Sequence, residues 1–186
     1  NTDYLSVTVA ASVAAGAGGN AVGGAVDVID MQNHVQSAVT GEVTAAEAVE
    51  VLALNHARLI IVPLAVAAGI GSTVAGGAAV SVIVTGTDTQ AWTGSGAKLT
   101  STGGSVSVRA VTDEGLMAFT TAAAATTGNI AGSASFAVVV SNSRTEAAVM
   151  GSTLKAKQDV IVLAQGDTWT LTTILAASAG SNTAAA

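Results

Sequence analysis

The sequence predicts an all-β fold of the β-solenoid type, a parallel β-helix. Three observations carry this. A strand-rich unit of roughly 55 residues recurs about three times along the chain. The apolar half of the composition is almost all Ala and Val, with aromatics at only 3%, which suits a narrow interior repeated many times better than one thick core. Proline, which removes a ladder hydrogen bond, occurs once, at Pro63.

Four elements recur in the same order. One strand reads Val-x-Val-x-Ala at Val49–Ala53, Val106–Ala110 and Val160–Ala164. A second reads Val26–Asp30, Val80–Val84 and Phe136–Val140, each preceded by a small pair at Gly23-Gly24, Gly76-Gly77 or Gly132-Ser133. A small-residue run closes in a polar turn at Asn20, Thr73, Asn129 and Asn182, at intervals of 53, 56 and 53 residues. A short strand after a glycine is centred on Val43, Leu99 and Leu154. These markers divide the chain into the end of a preceding repeat (1–20), three repeats (21–73, 74–129 and 130–182) and the start of a following one (183–186).

Period-two alternation places Val106, Val108 and Ala110 on one face, with Ser107 and Arg109 on the other. Turn formers at Asn55-His56, at Thr112-Asp113-Glu114-Gly115 and at Gln165-Gly166-Asp167 predict strands of about five to eight residues between turns. A unit of roughly 55 residues then supplies two coils, stacked about 4.8 Å apart, with Val, Ile and Ala ladders inside. A shift of one residue within a strand would turn its apolar face outward, so the drift in copy length belongs in the turns. Leu52, Leu54, Ile161 and Leu163 alternate with the inward Val and Ala and so point outward. Exposed apolar rows of that kind are association sites.

Charge excludes several functions. Six Lys plus Arg face twelve Asp plus Glu, for a net charge of −6, which is unsuited to nucleic acid or to electrostatic docking on anionic lipid. Without cysteine there are no disulfides and no thiolate metal sites. The uncharged runs Leu59–Thr87 and Gly115–Ser143 are long enough for membrane helices. Each is interrupted near its middle by a turn-like cluster, Gly69-Ile70-Gly71-Ser72-Thr73 or Thr126-Thr127-Gly128-Asn129, and no Lys/Arg asymmetry flanks them. No membrane-spanning segment is expected.

No catalytic, cofactor-binding or metal-binding residue is expected in this chain. His34 and His56 are the only imidazoles, too few for a metal site of their own, and read as surface or turn residues. Asp27, Asp30, Glu42, Glu47 and Glu50 form an acidic cluster. Asp27 and Glu50 fall out of phase with the apolar alternation and are expected outward and solvated. Gly23-Gly24-Ala25-Val26-Asp27 is a partial echo of a calcium-binding β-roll motif and does not recur with its Asp. Gly16-Ala17-Gly18-Gly19 lacks the Lys-Ser/Thr of a phosphate loop and reads as a turn. Trp92 and Trp169 fall near strand ends as packing or rim residues. An enzyme built on a β-helix would cluster Asp, Arg and Lys on one face, and an ice-binding solenoid would need a Thr ladder in register. The scattered basic residues and the Ile60-Ile61-Val62-Pro63 segment argue against each.

At Gly76-Gly77-Ala78-Ala79-Val80-Ser81-Val82-Ile83, Gly96-Ala97-Lys98-Leu99-Thr100-Ser101 and Gly104-Ser105-Val106-Ser107-Val108-Arg109-Ala110, the chain resembles repeats of large filamentous adhesins of diderm bacteria, of the filamentous-haemagglutinin and leukotoxin-like autotransporter type. The likeness is clearest from about residue 74 to 165, and Leu59–Leu64 departs from it by being more apolar. The resemblance implies a right-handed β-helical stalk, secreted to the cell surface and without catalytic residues. It also implies an adhesive purpose, with host or bacterial surface receptors as partners beside neighbouring repeats or further copies of the chain. The expected function is therefore a non-catalytic structural or adhesive segment of a secreted fibre. The alternative is an extracellular filament subunit that polymerises head to tail.

Overall fold

The computed structural model describes residues 2–71, 73–181 and 183–186, and all of the regular structure among them is β. Eleven strands follow in order: β1 (Thr2–Ala17), β2 (Ala21–Val39), β3 (Glu42–Ala45), β4 (Val49–Ile70), β5 (Val74–Thr93), β6 (Lys98–Ser101), β7 (Val106–Thr126), β8 (Ile130–Val149), β9 (Thr153–Lys155), β10 (Val160–Ala179) and β11 (Thr183–Ala185). They form three sheets. Sheet A has the order β1-β4-β7-β10, sheet B the order β2-β5-β8-β11 and sheet C the order β3-β6-β9. Every pairing is parallel. The chain passes through A, B and C in turn and then returns to A one strand further along, as in a parallel β-solenoid.

The recurring strands align as the repeat predicts. Val49 pairs with Val106 and Val106 with Val160. Val26 pairs with Val80 and Val80 with Phe136. Val43 pairs with Leu99 and Leu99 with Leu154. Of the small pairs, Gly76-Gly77 aligns with Gly132-Ser133, whereas the first is one step out, with Gly23 on Gly77 and Gly24 on Ala78.

One repeat makes one coil, not two. Partners in adjacent strands are one whole repeat apart, and the strands of sheets A and B are far longer than five to eight residues: β4 has 22 and β5 has 20. The expected turns at Asn55-His56, Thr112–Gly115 and Gln165–Asp167 lie inside β4, β7 and β10. Local turn propensity is overridden there by parallel ladders to neighbouring coils and by side-chain partners across and along the sheets. The true reversals between sheets A and B are the small-residue clusters. Gly18 and Gly71 adopt φ of 73° and 66° there, a region glycine enters without steric cost. Gly18 N–H donates to the Ile70 carbonyl at 3.0 Å, and Gly71 N–H to Thr127 Oγ1 at 2.8 Å. Asn182, the expected close of the last copy, lies outside the described residues. The drift in copy length sits in the turns: register is constant along each strand, the step from Ile70 to Val74 is one residue longer than that from Thr127 to Ile130, and the step from Thr93 to Lys98 is two residues longer than that from Val39 to Glu42.

Sheets A and B face each other, and the interior tapers. Next to sheet C it is filled by Val49, Val51, Val106, Val108 and Leu99. Further along come Leu59, Ile61, Ile83 and Leu116, then Ala25, Ala65, Ala79 and Ala122, and near the A–B turns Ala75, Ala124 and Ala131. The two sheets converge as side-chain volume falls. A Cβ on Gly77 would stand 2.6 Å from the Ala123 carbonyl oxygen, and one on Gly23 would stand 2.8 Å from that of Val66.

This taper reverses one expected phase. In the second recurring strand the valines face outward: Val26 and Val28 are 67% and 68% exposed, while Ala25, Asp27 and Ser81 are buried. The converging interior has room only for small side chains. In the first recurring strand, Val49, Val51, Val106 and Val108 face inward as expected. Val160 and Val162 share that phase in β10, the last strand of sheet A, and are half-exposed. Pro63 points inward in the middle of β4. The β4–β7 ladder lapses at Val62 and Pro63 and resumes in the same register at Leu64.

Candidate functional site

Charged residues on the outer surface occupy the half of the solenoid next to sheet C. On sheet B, register places His34, Asp88 and Arg144 in one row across three coils. His34 Nδ1 lies 3.3 Å from Asp88 Oδ2, and Arg144 pairs with Glu146 two residues along its own strand. The row borders an open depression whose floor includes Gly86, and the Gln32 side chain lies over that glycine.

On sheet A, His56, Asp113 and Asp167 form the equivalent row. Asp113 is its hub. Its Oδ2 is 2.7 Å from His56 Nε2, and Arg58 grips both carboxylate oxygens, Nη1 to Oδ1 at 3.0 Å and Nη2 to Oδ2 at 2.9 Å. The hydrogen-bonded Arg58 guanidinium holds the Asp113 carboxyl below the usual carboxylate range, and Asp113 in return raises the pKa of Arg58. Arg58 also lies 5.7 Å from the centroid of the Trp169 ring. Gly115 makes this possible. It pairs with Arg58 on one side and Trp169 on the other, and the indole lies where a Cβ would stand, 2.5 Å away.

A buried polar belt crosses the interior between the Val-rich and the Leu/Ile-rich core. Asn33 Nδ2 donates to Asn55 Oδ1 at 2.7 Å. Thr145 donates to Thr112 at 2.8 Å, Thr112 to Thr89 at 2.9 Å, and Thr87 to Glu114 Oε2 at 3.1 Å. Glu114 is 2% exposed.

The acidic cluster of the sequence is dispersed by the fold. Glu50 points outward and pairs with Arg109 at 3.5 Å. Asp30 lies on the outside of sheet B, bonded to Gln32. Glu42 opens β3, opposite Lys98, and Glu47 stands in the turn before β4. Asp27, expected outward, is buried at 7%. It shares the inward phase of Ala21, Gly23 and Ala25 and pairs in register with Ser81. Gly23, the first residue of the calcium-like echo, serves the close approach of the sheets, and Gly16–Gly19 closes β1. Trp92 is half-buried on sheet B beside Gln36 and Met150.

Sequence reasoning treated His34 and His56 separately from Asp88, Asp113 and Glu114. The missing signal was register: each histidine meets a carboxylate one repeat later, and only the offset between coils reveals it. Among the described residues, no group of three or more His, Cys, Asp or Glu is arranged to hold a metal ion. No helix among them is long and apolar enough to cross a membrane. The ion pairs of His34 with Asp88, of His56 and Arg58 with Asp113, and of Glu50 with Arg109 tie one coil to the next.

The chain matches no protein-family model, and no curated protein or solved structure shows significant similarity to it.

Proposed function

We propose that the chain is a non-catalytic structural segment of a secreted bacterial surface fibre, serving as a β-helical stalk or adhesion surface on a diderm cell. One observation carries this reading: each repeat forms one coil stacked on the last, so further repeats can be added along a single axis. Polar side chains support it, because the ion pairs and the buried belt connect coil to coil and sheet to sheet. The adhesive purpose and the autotransporter type rest on the sequence resemblance.

The edges of the sheets favour a second reading, a filament subunit that stacks head to tail. β1 and β2 at one end, and β10 at the other, each have a single strand neighbour. Their free backbone groups are templates for a further coil, whether of the same chain or of another copy.

Electron microscopy of the purified chain tests both. Rods of one coil's cross-section support the fibre reading, and rods that lengthen with concentration favour head-to-tail assembly. Compact particles with no long axis would overturn both.

A further inference from the structure

The half of the solenoid that tapers toward the A–B turns is apolar outside as well as inside. On sheet A its outward rows run across all four strands. Val7, Ile60, Met117 and Leu171 stand in one row, and Val9, Val62, Phe119 and Thr173 in the next. Val13 is 76% exposed and Ile70 is 77% exposed. The segments that build this face, Leu59–Ile70, Gly115–Thr126 and Thr168–Ala179, carry no charged residue. These side chains cannot turn inward, because the interior behind them is already closed by Ala65, Ala67, Ala122 and Ala124.

We propose that this face, the outer surface of sheet A in its uncharged half, docks on the same face of a second copy of the chain, giving a lateral face-to-face pair. This goes beyond the axial stacking proposed above and does not depend on it.

Size supports the assignment. Residues 60–70 of β4 span about 36 Å, and four strands span about 19 Å, at ordinary parallel-sheet spacings. The face is then about 700 Å² on each partner, or about 1,400 Å² in all, within the range of stable specific interfaces. The surface is free of charge, so a copy of itself meets no repulsion, and two sheets packing face to face is an ordinary β arrangement. Lipid is the competing occupant. Immersing this half in hydrocarbon would also immerse the open edges of β1, β2 and β10, whose backbone groups lack partners there. Docking on a second sheet leaves those edges in water.

Sedimentation velocity of the whole chain, from low micromolar to about 100 µM, tests the proposal. A reversible dimer is expected. I60K/L64K places two lysines in the middle of the face and should weaken self-association by about a hundredfold or more. S107K, outward on β7 in the charged half and in register with Glu50, should leave it unchanged. Far-UV circular dichroism checks that each variant keeps its β structure. If the lysines unfold the chain, I60T/L64T, which keeps strand-forming residues, replaces them and should weaken association in the same direction. Three results would overturn the proposal: a wild-type chain that stays monomeric throughout, a folded face variant that associates as the wild type does, or a monomeric wild type that floats with phosphatidylcholine vesicles.

Discussion

Thr112 of β7 donates its hydroxyl proton to Oγ1 of Thr89 in β5, 2.9 Å away across the interior, and itself accepts from Thr145 of β8 at 2.8 Å. The chain of three hydroxyls joins sheet A to two strands of sheet B. It sits where apolar packing alone would tolerate sliding of one sheet past the other. Thr112→Val keeps the shape and removes both bonds, leaving Thr89 and Thr145 without their partner. The expected cost is about 1–3 kcal/mol in denaturant unfolding. The triple change T89V/T112V/T145V should recover most of that loss, because no hydroxyl of the chain is then left unpaired. A triple variant weaker than the single one would show that the hydroxyls stabilise the fold by more than mutual satisfaction.

Glu114 presents the opposite case. Its carboxyl is buried, and its hydrogen bond from Thr87 is a modest return for removing it from water. Glu114→Gln keeps size and accepting oxygen and should raise the thermal midpoint at neutral pH, by the equivalent of about 1 kcal/mol. Glu114→Ala leaves a void and an unpaired Thr87 and should lower stability by about 1–3 kcal/mol. Calorimetry of the two variants side by side distinguishes a side chain kept for its charge from one kept for its shape.

Asp113 gives the outer surface its pH dependence. Its carboxyl is held below the ordinary range by Arg58, so its bridge contributes fully above the unfolded-state value of about 3.9 and is lost as pH falls through the lower folded value. Both side chains are about one-third exposed, which limits the contribution to about 1 kcal/mol at neutral pH. Asp113→Asn should therefore destabilise by that amount at neutral pH, and the difference from wild type should close as pH falls below about 4. Urea titrations across the pH range check it. A gap that persists in acid would mean that the geometry, not the charge, matters.

Gly77 sets the spacing of the sheets. Its missing Cβ would stand 2.6 Å from a backbone oxygen of Ala123, which belongs to a strand and cannot swing aside. Gly77→Ala should cost about 1–3 kcal/mol by forcing the sheets apart. Gly76→Ala, the adjacent outward position, where a Cβ would meet only the Gly132 carbonyl oxygen at an ordinary contact distance of 3.9 Å, should cost less than about 1 kcal/mol. Similar losses in the two variants would place the effect in strand propensity, not in sheet spacing.

The order of the strands was legible in the sequence because identical positions stack. Val49, Val106 and Val160 repeat the same pattern at nearly the same interval, and the parallel ladder aligns them. The A–B turns were legible for a similar reason, since glycine clusters with Ser, Thr and Asn mark reversals. The short strands at Val43, Leu99 and Leu154 followed from their glycines.

Coil length was not legible. Asn55-His56 and Thr112–Gly115 carry the residue types of turns, and nothing nearby in the sequence shows that Asn55 will be held by Asn33, or His56 by Asp113. Those partners are distant in the chain, and they stabilise an extended backbone against its local preference. The pairing of His56 with Asp113, and of His34 with Asp88, is hidden for the same reason.

By itself, then, the sequence determined an all-β repetitive fold, its parallel stacking and the absence of strong charge from long stretches of each repeat. Only the tertiary structure decided which way those stretches face. Val26 and Asp27 alternate just as a strand with an apolar interior would, yet the valine is outside and the aspartate inside. Alternation specifies that two faces differ and not which one is buried. That choice came from the convergence of the sheets at Gly23 and Gly77, which admits only small side chains between them and sends the larger apolar ones to the surface.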